Sequence, residues 1–248
     1  MDAYAKGMEI SPENERAWNN SGIALANLGR YEDALKAYDK AIDVNPAYAK
    51  AWNNKGAALD SLTRFGEALK AYGRAVELDP NYQKAWVNKA MVLIKMYRSD
   101  EALSAIDEVI KINPGDYEAW QFRGTALENL GRYEEAIASL DKAIAINPAH
   151  EAAWNNKGAA LEYLGRLEEA LTAYNKALEL NPNYQKAWFN KGNVLASLGK
   201  PQDALAALDR ATEINPKDYE AWYQKGMVLS TLCRHEESVK AFDKALLH

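Results

Sequence analysis

Apolar residues recur along this chain with a helical period that repeatedly stops and restarts. Trp18, Gly22, Leu25 and Leu28 follow one another at three- and four-residue spacing; after a break at Gly29, Ala34, Tyr38 and Ala41 do the same. That spacing gathers the side chains on one face of a helix, so it predicts two helices joined by a tight turn. The glycine returns as Gly131, Gly165 and Gly199, where a helix end favours left-handed backbone. Thr63, Tyr97 and Cys233 replace it elsewhere, and those turns are expected to differ slightly. The second helix runs out at Asn45-Pro46, repeated as Asp79-Pro80, Asn113-Pro114, Asn147-Pro148, Asn181-Pro182 and Asn215-Pro216. An Asn or Asp cap followed by proline at the first helical position is expected to start the next helix. Pro201, outside this series, is expected near the start of a second helix, where proline is also tolerated.

All seven tryptophans (Trp18, Trp52, Trp86, Trp120, Trp154, Trp188 and Trp222) lie 34 residues apart, and seven of the eight prolines keep the same period. Two residue types in lockstep at this length imply stacked repeats that bury one another's apolar faces. The repeats span 15–48, 49–82, 83–116, 117–150, 151–184, 185–218 and a truncated 219–248, with 1–14 matching the second helix of an earlier repeat. Fifteen helices and no strand are expected. Repeats two and five share Ala-Trp-Asn-Asn-Lys-Gly-Ala-Ala-Leu, repeats three and six open with Gln-Lys-Ala-Trp, and four and seven with Tyr-Glu-Ala-Trp. This reads as duplication of a three-repeat block.

Composition removes several functions. With 48% hydrophobic and 26% charged residues in 248, the chain can build a core. Its net charge of −5 argues against a general nucleic-acid partner, and no apolar run approaches the length of a membrane span. Cys233 is the only cysteine, and His150, His235 and His248 are too scattered to suggest metal ligands. Phosphate-binding loops, His-Glu-x-x-His pairs and Gly-x-Ser-x-Gly elbows are missing. Glu134-Glu135 and Glu168-Glu169 start second helices, where acidic residues favour the helix dipole. No enzyme activity, cofactor or metal is expected, and the location is read as cytoplasmic.

The repeat resembles the tetratricopeptide repeat, whose early Trp, small residue, Ala, aromatic, Ala and Pro are matched by Trp52, Gly56, Ala68, Tyr72, Ala75 and Pro80. The resemblance covers the whole chain and implies an all-α solenoid, a right-handed superhelix. Departures are local: Ala90 replaces the small Gly, Ile106 and Leu140 the aromatic, and Ser238 an Ala. Lys55, Lys89, Arg123, Lys157, Lys191 and Lys225 stand where the family often has Leu, and are expected to lay their stems on the core and snorkel outward.

In that family the first helices line a concave groove that holds extended peptides. Opposite the packed Trp, Gly and Leu lie the second, fifth, sixth, ninth, twelfth and thirteenth positions of each repeat. The sixth gives Asn20, Asn54, Asn88, Asn156 and Asn190, the ninth Asn193, and the fifth Asn19, Asn53 and Asn155. Asparagine costs about 0.6 kcal/mol against alanine inside a helix, so nine of them call for a compensation. Carboxamides donate and accept together, so a row of them can grip a peptide backbone; this resembles the asparagine ladder in the TPR superhelix of O-GlcNAc transferase. The alternative is that they bond neighbouring helices or face water.

Two apolar groups interrupt that face, Val87, Met91 and Ile94 beside Phe122, and Phe189 with Tyr223 and Met227. They suggest side-chain pockets, or contacts with a neighbouring repeat or a covering segment. Arg16, Lys50, Lys84 and Lys95 make the early groove basic, whereas Glu118, Glu128 and Glu162 make the middle acidic. The family's carboxylate clamp is not expected, since no repeat has Lys at the fifth position or Arg at the sixth.

These features imply a scaffold for a protein or peptide partner. A recognition arm of a larger enzyme, such as a glycosyltransferase, and a self-associating array are the alternatives. Val239, Phe242, Ala245 and Leu246 at one end, and Met1, Tyr4 and Met8 at the other, suggest weak end-to-end association. Polar neighbours that keep the ends monomeric are the competing expectation.

Overall fold

A computed structural model of the chain describes residues 13–247. The helix expected over the opening residues, with Met1, Tyr4 and Met8, lies outside them. Among the described residues there are fourteen helices and no strand. They are α1 (Glu15–Asn27), α2 (Tyr31–Val44), α3 (Ala49–Ser61), α4 (Phe65–Leu78), α5 (Gln83–Lys95), α6 (Ser99–Ile112) and α7 (Tyr117–Asn129). There follow α8 (Tyr133–Ile146), α9 (Glu151–Tyr163), α10 (Leu167–Leu180), α11 (Gln185–Ser197), α12 (Pro201–Ile214), α13 (Tyr219–Thr231) and α14 (His235–Leu246). The described residues divide into two compact units, 13–122 and 123–247.

In the first unit α1 pairs with α2, α3 with α4 and α5 with α6; α2 also packs on α3 and α4 on α5. The second unit repeats this with α9 and α10, α11 and α12, α13 and α14. One contact sets how closely each hairpin closes. A Cβ added to Gly56 would stand 2.6 Å from Tyr72 Cε1, and at Gly158 it would stand 2.5 Å from Tyr174 Cε1. Glycine is required because the aromatic ring of the second helix lies directly on the first helix's backbone. In the third repeat the residues are Ala90 and Ile106, both buried, so a methyl is gained where a ring is lost.

The turns between paired helices depart from expectation. Thr63, Tyr97 and Cys233 adopt φ of 58°, 56° and 59°, the same left-handed backbone as Gly29 at 73°. Their hydrogen bonds match too: Gly29 N donates to Ala26 O and Arg30 N to Leu25 O, as Thr63 N does to Asp60 O and Arg64 N to Leu59 O. The turn geometry is held by the packing of the helices it joins, and residues with a Cβ absorb the strain.

The Asn-Pro steps also differ from expectation, for they do not cap the following helix. Asn45 ends α2, and its Oδ1 accepts from Ala47 N at 3.1 Å, while α3 begins only at Ala49 with Tyr48 as its N-cap. Proline therefore sits in the turn and not at the first helical position. Its carbonyl has a partner instead: Trp52 Nε1 donates to Pro46 O at 3.0 Å, and Trp86, Trp120, Trp154, Trp188 and Trp222 each do the same to the proline six residues before. This bond couples the two residue types that share the 34-residue period. Side-chain caps start first helices at Asn14, Asp116 and Asp218, and Pro201 opens α12 as expected.

Candidate functional site

The asparagines of the first helices are largely bonded to one another. Asn88 Nδ2 donates to Asn53 Oδ1 at 2.9 Å, Asn53 Nδ2 to Asn54 Oδ1 at 3.3 Å, and Asn54 Nδ2 to Asn19 Oδ1 at 2.9 Å. The second unit holds the same relay: Asn190 to Asn155 at 3.2 Å, Asn155 to Asn156 at 3.3 Å, and Asn156 to Thr125 Oγ1 at 3.2 Å. The fifth-position residues Asn19, Asn53 and Asn155 are buried between first helices, contrary to the expectation that they face a groove. Asn54, Asn88, Asn156 and Asn190 are half-buried and reach back to the preceding repeat. The bonding of neighbouring helices, weighed above as the alternative, is therefore the geometry found at these four. Asn20 is exposed and Asn193 half-buried; neither enters a relay.

The expected charge gradient is muted by local pairing. Lys95 donates to both Asp60 oxygens, at 2.8 and 2.9 Å. Burial pushes the Glu128 carboxyl up to about 8, and its Oε1 is shielded with no hydrogen-bond partner. Burial also raises Glu162, although Tyr174 Oη donates to it at 2.8 Å. Arg16, Lys50, Lys84 and Glu118 remain exposed.

Of the apolar positions, Met91 is exposed, whereas Val87, Ile94 and Phe122 are half-buried. Phe189 and Tyr223 come together in a cleft of about 630 Å³, walled also by Tyr219, Phe242, Ala245 and Leu246. Glu220 and Gln224 supply its polar rim. Tyr223 and Phe242 rings meet at 5.6 Å with planes tilted by 55°. Met227 is exposed but does not line the cleft. Tyr219, Phe242, Ala245 and Leu246 were not named by groove counting, because one begins the helix and the others come from α14, a second helix. Phe242 occupies the place of Tyr174 and Leu208, which are wholly buried, yet it is only half-buried. Leu246, at 85% exposure, corresponds to the buried Leu178 and Thr212.

The lysines standing where the family has Leu do snorkel. Lys55, Lys157 and Lys225 lie over Trp52, Trp154 and Trp222 at 5.4, 5.8 and 4.7 Å from the ring centres. Their ammonium groups emerge to meet carboxylates of the preceding second helix.

Hairpins of this pattern, stacked first helix on first helix, define an α-helical repeat protein. Tetratricopeptide repeat models match residues 3–43, 19–83, 143–185, 155–218 and 189–246, with two further such models at 89–154 and 71–104. The chain belongs to the tetratricopeptide repeat family. Among solved structures it is similar to YrrB, described as a TPR protein with an unusual peptide-binding site, at 25% identity and TM-score 0.65, over 75% of this chain and 95% of that one. A tetratricopeptide repeat protein from Parabacteroides merdae shares 18% identity and TM-score 0.79 over 93% and 91% of the two chains. MamA from Desulfovibrio magneticus RS-1 shares 21% and 0.64 over 68% and 96%. No protein of curated function matches the sequence. The described residues contain no helix long and apolar enough to cross a membrane, and no cluster of three or more metal-ligating side chains.

Proposed function

We propose that this chain is a non-catalytic scaffold that binds an extended segment of a partner protein, and that the Phe189–Tyr223 cleft receives an apolar side chain of that segment. The observation carrying this reading is the cleft itself: about 630 Å³, mostly apolar, with Tyr223 at 50% exposure. A monomer that leaves such a patch in water gives up burial of roughly 25 cal/mol per Å², which a docked aliphatic or aromatic residue recovers. Glu220 and Gln224 on the rim offer an acceptor and an amide to a peptide backbone. Asn20, Asn193, Met91, Met227, Lys50 and Lys84 are further contact candidates, while the relay asparagines act as spacers that hold the first helices in register. The likeness to YrrB at 25% identity, a protein described as having a peptide-binding site, is compatible with this role. Nucleic acid is a poor partner for a chain of net charge −5.

The test is selection of peptides from a displayed random library on the immobilised chain, with Tyr223→Ser as counter-screen. Recovery of sequences sharing an apolar anchor, bound at least about tenfold less tightly by the Tyr223→Ser and Phe189→Ser variants, is expected. Selected peptides that bind both variants as well as the parent would place the site elsewhere. Mass measured across a concentration series separates peptide binding from a second copy seated in the same cleft.

A further inference from the structure

Two ion pairs recur through the repeats, and the sixth repeat lacks both. The first joins a first-helix lysine to the preceding second helix: Lys55 to Asp39 at 2.6 Å, Lys157 to Asp141 at 2.6 Å, and Lys225 to Asp209 at 2.8 Å. The second joins the arginine before each second helix to that helix's first turn. It is present as Arg30–Asp33, Arg64–Glu67, Arg98–Glu101, Arg132–Glu135, Arg166–Glu169 and Arg234–Glu237. For the sixth repeat's Lys191, Asn175 on the preceding second helix stands where the first pair has Asp, and Lys200 and Asp203 stand where the second has Arg and its acid. Neither Lys191 nor Lys200 forms an ion pair among the described residues. The third repeat makes the contrast clear: Gly73 deprives Lys89 of its carboxylate, but Arg98–Glu101 remains.

At the place where both pairs are missing, a cleft of about 540 Å³ opens between α10, α11 and α12. Lys191, Lys200 and Arg210 line it against one carboxylate, Asp203. Arg210 is already bonded to Glu213, so the two lysines carry the excess charge. Lys191 lies 5.0 Å above the Trp188 ring, and its burial depresses its pKa, only partly offset by Asp203. Asn175 contributes an amide, and Leu171 and Leu195 an apolar wall. A half-buried ammonium with no carboxylate bonded to it is costly, and a bound anion recovers that cost through charge-assisted hydrogen bonds. A bare inorganic ion would fill little of this volume and leave the half-buried Trp188 and Leu171 partly wet.

From this we infer that the sixth-repeat cleft binds the carboxylate of an acidic residue flanked by an apolar one, within a segment of a partner protein. Lys191, Lys200 and the Asn175 amide donate to the carboxylate, and Trp188 with Leu171 and Leu195 takes the neighbour. The cleft shares no residue with the Phe189–Tyr223 cleft and stands or falls independently of it.

The experiment titrates 15N-labelled full chain with N-acetyl-Leu-Glu-amide and follows the indole N–H of Trp188, which donates to Pro182 O at 2.8 Å. A saturable shift confined to Trp188 among the indoles is expected, with N-acetyl-Leu-Gln-amide and inorganic phosphate each about tenfold weaker. Asn175→Asp supplies the carboxylate that Asp39, Asp141 and Asp209 bring to the equivalent lysine, leaves every cation in place, and should weaken binding by about tenfold or more. Lys191→Gln and Lys200→Gln provide independent variants should that one fold poorly. No saturable shift at Trp188, undiminished binding to Asn175→Asp, or phosphate binding as tightly as the glutamyl probe would each overturn the assignment.

Discussion

The side-chain amide of Asn54 donates to Asn19 Oδ1 at 2.9 Å, joining the first helices of two successive repeats through residues 35 apart in sequence. The same carboxamide accepts from Asn53, whose own oxygen is taken by Asn88. Asn53 and Asn54, the inner members, therefore work as donor and acceptor at once, and the low helix propensity of asparagine is offset inside the protein without a ligand.

Removing one member should expose this. Asn54→Ala leaves the buried Asn19 oxygen and the Asn53 amide without partners, and should cost about 1–3 kcal/mol. Asn20→Ala, at an exposed position outside the relays, should be neutral or slightly stabilising through helix propensity. Chemical denaturation of the two variants checks both signs. An Asn54→Ala protein as stable as the parent would mean that the relay contributes nothing.

Much of this was legible in the sequence because periodicity reports burial. The 34-residue spacing and the Trp18-to-Ala41 pattern locate helical hairpins and their packed faces, and Lys55 and Lys157 behave as amphipathic stems should. Distance between repeats was not legible. Angular counting puts Asn53 on the groove side of its helix, but the next first helix lies close enough to cover it, which no single-helix argument contains. The Asn-Pro step was misplaced for a similar reason: the signals for a helix cap and for an Asx turn use the same residues, and only the Trp52-to-Pro46 bond decides between them. The Phe189–Tyr223 cleft was half legible, since its other wall comes from a second helix.

At Thr63 the turn requires a conformation that glycine adopts without strain, and φ is 58°. Thr63→Gly should stabilise the chain by about 1 kcal/mol, because relief of the left-handed penalty exceeds the added freedom of the unfolded chain. Tyr97→Gly and Cys233→Gly should act in the same direction. Melting temperatures of the three variants test this, and a uniform decrease would show that these side chains make compensating contacts.

The closeness of Gly56 to Tyr72 makes a sharper test of packing. Gly56→Ala should cost about 1–3 kcal/mol, despite alanine's better helix propensity, because the methyl meets the ring. The third repeat suggests the remedy. Combining Gly56→Ala with Tyr72→Ile, the pair found at Ala90 and Ile106, should destabilise by clearly less than the sum of the two single changes. Additive single and double variants would mean that the two positions are not coupled.

Glu128 sets a pH dependence whose sign follows from its burial. Its carboxyl has a folded pKa of about 8 against an ordinary 4.5, raised by burial. The folded state thus holds a proton that the unfolded state has released. Stability is fully present below pH 4.5 as far as this group is concerned, and declines as pH rises towards 8, by on the order of a few kcal/mol. Exposed ion pairs act oppositely: Glu101, Glu135 and Glu169 are held below the usual carboxylate range by hydrogen bonds from arginine, so their contribution is lost only as pH falls below 4.5. Glu128→Gln keeps the shape and removes the titration. It should raise stability at pH 8 while leaving it nearly unchanged at pH 4, so denaturation curves at the two values distinguish the effect from general repacking. Equal shifts at both pH values would assign the gain to packing and not to the buried proton.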